Sequence, residues 1–136
     1  MGWRSLGYAI SFMKISVDLD GCMWEYPEFF KTLYRYSREL KYEFGVLTGQ
    51  RSIRKYASMV LVRLLGIEPD FFYCRGTLDP RSSREFKNDT IIEQGIDFNF
   101  DDCEYGSYEL VKTIQVPSSG ERYEEPADFF YSFSVQ

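Results

Sequence analysis

The chain has 136 residues, of which 44% are hydrophobic and 27% are charged, and this composition is typical of one globular domain. No apolar run approaches the roughly 18 residues of a membrane-spanning helix, so we expect no membrane partner. The formal net charge of −5 argues against extensive nucleic-acid binding, which needs a basic surface.

Missing residue types narrow the chemistry further. The chain contains no histidine, which excludes Ser-His-Asp and Cys-His catalysis and histidine-ligated zinc. None of the three cysteines has an arginine six residues later, as a cysteine phosphatase loop requires, and no Gly-rich phosphate loop occurs. The cysteines are odd in number and far apart, which predicts reduced thiols and a cytoplasmic location. Carboxylates, hydroxyls and lysines remain as candidate reactive groups.

Predicted strands and helices alternate along the chain. In chain order the elements are strand 13–17, helix 27–42, strand 44–47, helix 52–65, strand 70–74, helix 83–94, strand 98–100, helix 105–110 and strand 112–116. This order favours right-handed crossovers and an α/β domain with an open, five-stranded parallel sheet.

Both ends of the chain fall outside this alternation. Residues 1–12 are mildly apolar and lack a small-residue cleavage site, so we interpret them as an N-terminal extension, with Met13 as an alternative natural start. Residues 13–116 form the predicted domain. Residues 117–136 are an acidic and aromatic tail that either packs on the domain or docks a partner.

Polar side chains follow three of the predicted strands. Asp18 and Asp20 follow the first strand, Thr48 follows the second, and Asp101 and Asp102 follow the fourth. Ligands of open parallel sheets bind at the carboxyl ends of the strands, where residues distant in sequence converge. We therefore expect these side chains to share one site.

These residue types suit phosphoryl transfer. Carboxylate oxygens are ligands that Mg²⁺ prefers, and a carboxylate can attack phosphorus to give an aspartyl-phosphate that water hydrolyses. A second carboxyl two residues along can protonate the leaving oxygen and later activate the water. A hydroxyl and a lysine, here Thr48 and Lys87, can bind the oxygens over which charge spreads.

Four segments resemble the motifs of the haloacid dehalogenase superfamily. ISVDLDG is similar to the first motif, FGVLTG to the second, FKNDTII with Lys87 to the third, and FNFDD to the fourth. The motif residues are 30, 39 and 15 positions apart, which suits a core with little inserted. The resemblance covers residues 13–116. It implies a Rossmann-like three-layer sandwich without a cap domain.

The resemblance also implies a role for each matching residue. Asp18 would be the nucleophile and Asp20 the general acid and base. Thr48, Gly49 and Lys87 would hold the phosphoryl group.

A metal site follows from the same resemblance. Asp102, with Asp101 assisting, would join Asp18 and the main-chain carbonyl of Asp20 around Mg²⁺. Which of Asp101 and Asp102 binds the ion directly stays open.

We therefore expect a Mg²⁺-dependent hydrolase of phosphate monoesters. Arg51 and Trp24 are candidate substrate contacts beside the motifs. Without a cap the mouth of the site would be open, so that the phosphorylated substrate is a macromolecule or a second subunit covers the pocket. Two alternatives stay open: a phosphotransferase of the same fold, and a catalytically silent domain that binds a phosphorylated or protein partner.

Overall fold

The computed structural model of the chain describes residues 13–102, 112–116 and 134–135. Its strands are β1 Lys14–Val17, β2 Glu43–Arg51, β3 Phe72–Arg75, β4 Phe98–Asp101, β5 Lys112–Gln115 and β6 Ser134–Val135. Its α-helices are α1 Pro27–Leu40, α2 Lys55–Leu64 and α3 Ser83–Glu93. Two short helical turns, Leu19–Met23 and Ser52–Arg54, follow β1 and β2. Within the described part of the chain, no helix is both long and apolar enough to cross a bilayer.

Local signals explain where the helices begin and end. Pro27 starts α1, where its fixed φ and missing N–H cost nothing, and Lys41 ends it with a left-handed φ of 60°. Ser82 caps α3: its Oγ accepts the main-chain N–H of Glu85 at 3.1 Å and lies 3.2 Å from the Glu85 carboxylate. Ser82 is thus the N-cap of α3, and its hydroxyl proton is donated to the Glu85 carboxylate.

The strand order is β3-β2-β1-β4-β5-β6. Strands β1 to β4 pair in parallel, which confirms the predicted α/β class with a parallel sheet. Strand β5 pairs in parallel with β4, and β6 adds an antiparallel strand at that edge, which the prediction of a five-stranded sheet did not include. A strand of two residues inside an acidic tail is too short to give a periodic sequence signal.

Helices α1 and α2 cover one face of the sheet. Side chains on a strand alternate between the two faces. Val17, Val46 and Phe72 accordingly point to one side, where they pack in a single buried cluster with Phe30 of α1 and Val62 of α2. The exclusion of these side chains from water supplies the main driving force for this half of the fold.

Helix α3 covers the opposite face. Leu47 of β2 packs there with Phe86 and Ile91 of the helix in a second, smaller cluster. Because α1 and α2 lie on one face and α3 on the other, the sheet is doubly wound, and the winding reverses between β1 and β4.

Several element boundaries differ from the predictions. Strand β2 was expected to end before Thr48 but continues to Arg51, whose partner is Arg75 after a shift of register. The predicted strand over 70–74 begins at Phe72, although the main-chain N–H of Asp70 already donates to the Phe44 carbonyl at 2.8 Å. The predicted helix 105–110, the extension 1–12 and most of the tail lie outside the described residues.

Candidate active site

Two aspartates lie at the carboxyl ends of β1 and β4, where the winding of the sheet reverses. The main-chain N–H of Asp18 donates to the Phe100 carbonyl at 3.0 Å, so the pairing of the strands continues to Asp18. Two residues earlier, the buried Ser16 hydroxyl donates to the Asn99 side chain at 2.8 Å. These contacts fix the register that sets Asp18 beside Asp101, at the usual ligand position of such sheets.

Lys87 of α3 joins the two aspartates. Its Nζ lies 2.9 Å from Asp18 Oδ2 and 2.8 Å from Asp101 Oδ2. All three residues are buried, with exposures of 3% for Lys87, 6% for Asp18 and 0% for Asp101. We call these three residues the Lys87 cluster. An ammonium group is stable at such a depth only with charged or hydrogen-bonding partners, and two carboxylates provide them.

The electrostatics of the Lys87 cluster favour a protonated Asp18. Burial raises the pKa of its carboxyl from 3.8 to about 7, with Lys87 opposing the rise and the Asp101 charge adding to it. One ammonium group therefore does not compensate the negative charge of this buried site. A further positive charge, such as that of a bound cation, would stabilise the ionised form of Asp18.

A third carboxylate completes a set of oxygen ligands. Asp18, Asp101 and Asp102 each offer one oxygen, and these atoms lie within 4.8 Å of one another. Three carboxylates against the one ammonium of Lys87 leave a formal charge of −2. Hard oxygen donors and an excess of negative charge fit a divalent cation such as Mg²⁺. The group consists of carboxylate oxygens, so the expected contribution of the Asp20 main-chain carbonyl stays a prediction.

Gly21 makes room for Asp102. A Cβ at position 21 would lie 2.1 Å from Asp102 Oδ2, and the φ of Gly21 is +77°. Both the positive φ and the close approach require glycine at this position. The glycine of the D-x-D-G segment thus contributes to the site by leaving space for the Asp102 side chain.

Asp20 and Thr48 lie at the ends of neighbouring strands. Val17 pairs with Val46, and Thr48 follows two residues later with only 2% of its surface exposed. The carboxyl of Asp20 is exposed on the turn after β1 and accepts Gln50 Nε2 at 3.4 Å. Gln50 was not among the predicted site residues, because a lone glutamine after a strand carries no sequence signal.

Gly49 lets the start of α3 approach β2. A Cβ at this position would lie 1.9 Å from Ser83 Oγ, and the Gly49 carbonyl accepts Arg75 Nε at 2.7 Å. Glycine therefore allows the close helix–strand contact that delivers Lys87, one turn into α3, to the strand ends. Its predicted contact with a phosphoryl group stays a prediction.

The two predicted substrate contacts are placed differently. Arg51 Nη1 donates to the main-chain carbonyl of Gly76 at 3.0 Å and to that of Asp79, so its guanidinium ties β2 to the loop before α3. Trp24 is partly buried against the core at the end of the turn Leu19–Met23. Neither contact brings these side chains to the Lys87 cluster.

Comparison of the chain with protein-family models, with curated proteins and with solved structures finds no match. The function is therefore argued from the site itself.

Proposed function

We propose that the protein is a Mg²⁺-dependent phosphohydrolase of the haloacid dehalogenase type, acting on phosphate monoesters through an aspartyl-phosphate on Asp18. One observation carries the proposal: a buried lysine joins two aspartates at the reversal point of the sheet, and a third carboxylate lies beside them. The order of the four motif segments in the chain supports the same function.

Asp18 supplies the nucleophile. Its Oδ1 accepts the main-chain N–H of Leu19 at 2.8 Å, and its Oδ2 lies against Lys87 Nζ. Two donors hold the carboxylate in one orientation for attack on phosphorus. Asp18, Asp101 and Asp102 would hold Mg²⁺, which supplies the positive charge that offsets repulsion between a carboxylate and an anionic ester.

Thr48 and Lys87 would bind the transferring group. Thr48 Oγ1 accepts the main-chain N–H of Gln50 at 3.2 Å, which leaves the hydroxyl proton available for a phosphoryl oxygen. Lys87 Nζ, held between Asp18 and Asp101, would place its positive charge beside the transferring group. The charge that develops on the phosphoryl oxygens would thus meet fixed donors.

Asp20 would transfer the protons. Its exposed carboxyl can protonate the leaving oxygen in the first step and deprotonate the attacking water in the second. Water then breaks the phosphorus–oxygen bond to Asp18, which releases inorganic phosphate and restores the carboxylate.

No separate domain is inserted between Asp18 and Lys87. From residue 13 to residue 102, the strands, helices and short turns named above are joined by loops of at most seven residues, such as 65–71 and 76–82. We infer that the leaving group extends into solvent, as that of a phosphorylated macromolecule would, unless a second subunit covers the site.

An assay of phosphate release tests the proposal. Purified protein should hydrolyse 4-nitrophenyl phosphate with Mg²⁺ and lose the activity with excess chelator. Asp18→Asn should lower kcat by at least about a thousandfold, because an amide of the same shape is a poor nucleophile. Asp79→Asn is the matched control, since it makes the same change at an aspartate outside the Lys87 cluster.

Mass spectrometry of acid-quenched protein should find a phosphorylated peptide that contains Asp18. Chelator-resistant activity would remove the role of the metal, and full activity in Asp18→Asn would remove the nucleophile. Transfer of phosphate to an added alcohol in preference to water would identify a phosphotransferase. No turnover on a panel of nucleotides, sugar phosphates and phosphopeptides would favour the silent binding domain.

A further inference from the structure

Gln50 and Ser58 form a short hydrogen-bonded chain that ends at the carboxyl of Asp20. We propose that Gln50, fixed by Ser58, is the positioning residue that holds Asp20 for proton transfer to the leaving group. The inference rests on the proposed phosphohydrolase function. It adds two residues of β2 and α2 that no motif segment identifies.

Ser58 holds the end of the Gln50 amide that faces away from Asp20. Ser58 is 6% exposed on α2, and its Oγ donates to Gln50 Oε1 at 2.8 Å. The other end of the amide, Nε2, donates to Asp20 Oδ2 at 3.4 Å. A carboxylate only accepts, so it faces the N–H end of the amide, and the serine hydroxyl fixes the carbonyl end.

Asp20 needs such a partner because of its position. It lies on a turn where its own φ of −69° and ψ of 129° are not helical, and its carboxyl is exposed. Among the described residues, Gln50 is the one hydrogen-bond partner of that carboxyl. An exposed carboxyl held by no partner samples several rotamers, and general acid catalysis works only within hydrogen-bond reach of the leaving oxygen.

The side chain and the main chain of Gln50 act on different groups. Its main-chain N–H donates to Thr48 Oγ1, and its side chain reaches Asp20. A substitution at position 50 therefore removes the contact with Asp20 and leaves the main-chain contact with Thr48 in place. This separation lets proton transfer be tested apart from phosphoryl binding.

The leaving group provides the sharpest test. A nitrophenolate leaves readily without a proton, whereas an alkoxide must be protonated as the ester bond breaks. The ratio kcat/KM reports the first irreversible step, which here is the formation of the aspartyl-phosphate. Loss of Asp20 positioning should therefore lower kcat/KM for an alkyl phosphate much more than for an aryl phosphate.

The experiment compares Gln50→Met, which keeps length without the hydrogen bonds, with wild type on ethyl phosphate and on 4-nitrophenyl phosphate. We expect kcat/KM to fall about tenfold or more for ethyl phosphate and less than about threefold for the aryl ester. Ser58→Ala should show the same pattern with a smaller loss, and Ser58→Thr, which restores the hydroxyl, should recover most of it.

Asp20→Asn supplies the reference. Adding Gln50→Met to Asp20→Asn should cause little further loss on ethyl phosphate, because the positioned group is already gone. Equal losses on both esters, or additive losses in the double variant, would overturn the assignment of Gln50. An inactive wild type would instead contradict the proposed function. If Gln50→Met fails to fold by circular dichroism, the Ser58 pair decides the question by the same ratio.

Discussion

Two groups of one cation and two aspartates lie along the same helix and behave in opposite ways. In the Lys87 cluster, the cation bonds Asp18 and Asp101. Just before α3, Arg81 bonds Asp79 at 2.7 Å and Asp89 at 3.0 Å, and we call these three residues the Arg81 cluster. Each cluster has one positive and two negative side chains. We therefore look for the cause of their different carboxyl pKa values in the burial of the side chains.

Burial of the cluster as a whole is the difference. The side chains of Lys87, Asp18 and Asp101 are 4%, 9% and 0% exposed, whereas those of Arg81, Asp79 and Asp89 are 34%, 12% and 49% exposed. Burial raises the pKa of Asp18 to about 7, whereas hydrogen bonds from Arg81 lower the pKa of Asp79 to about 2. A partly exposed ion pair favours ionised carboxylates, while a buried one leaves a carboxyl that a further cation can stabilise. The pKa of a carboxyl in these clusters therefore follows the burial of its cluster, and not the number of charges.

Replacement of the buried cation should cause the largest loss of stability. Lys87→Met leaves two carboxylates buried together without their ammonium partner, so we expect a loss of about 3 kcal/mol in the free energy of unfolding. Urea unfolding at pH 7.5 measures the loss. Phosphatase activity should fall at least about a thousandfold in the same variant.

Arg81→Met is the matched control at the exposed cluster. Its effect on unfolding should be much smaller, because water solvates the two freed carboxylates. If the two variants lose the same free energy of unfolding, burial does not explain the difference between the two clusters. If Lys87→Met keeps full activity, the lysine does not hold the phosphoryl group.

Removal of the Asp18 charge should stabilise the metal-free protein. The folded-state pKa of about 7 exceeds the usual aspartate value of 3.8, so the folded chain binds more protons between these pH values and loses stability as pH rises through that window. Asp18→Asn has no such loss. At pH 8 the variant should be the more stable protein, by up to about 4 kcal/mol at roughly 1.4 kcal/mol per pKa unit.

Urea unfolding in chelator at several pH values from 4 to 8 measures this difference. It should shrink towards pH 4, where the wild-type carboxyl is protonated in both states. Mg²⁺ should stabilise the wild type more than the variant, because the cation binds the ionised carboxylate. An Asp18→Asn protein that is less stable than wild type at pH 8 would contradict the assigned cost of burial.

Much of the fold could be predicted because its signals are local. Short apolar segments that end at acidic residues predicted β1 and β4, and the predicted helix starts at Pro27 and Ser83 coincide with those of α1 and α3. The end of β2 could not be predicted in this way. Thr48 and Gly49 are typical of a turn, but pairing between Arg51 and Arg75 carries the strand past them.

The site was predictable only as a set of residues at strand ends. The sequence placed Asp18 and Asp101 after neighbouring strands, but a lone lysine gives no sign that it is buried between them. Gln50 and Ser58 belong to the site through a hydrogen bond between β2 and α2. Contacts of that kind arise from the packing of elements, which no local pattern encodes.

The smallest predicted effect concerns the Arg81 cluster and has the opposite sign. The Asp79 pKa of about 2 lies below the usual aspartate value of 3.8, so its stabilising contribution is present above pH 3.8 and is lost as pH falls towards 2. Asp79→Asn should lack this loss. The wild type should therefore be slightly more stable at pH 6, and the two proteins should converge near pH 2. Because Arg81 is partly exposed, salt at about 1 M should reduce the difference at pH 6. Urea midpoints from pH 2 to 6, in low and high salt, measure both trends. An Asp79→Asn protein that is more stable than the wild type at pH 6 would show that Asp79 behaves like Asp18, and burial would no longer explain why the two clusters differ.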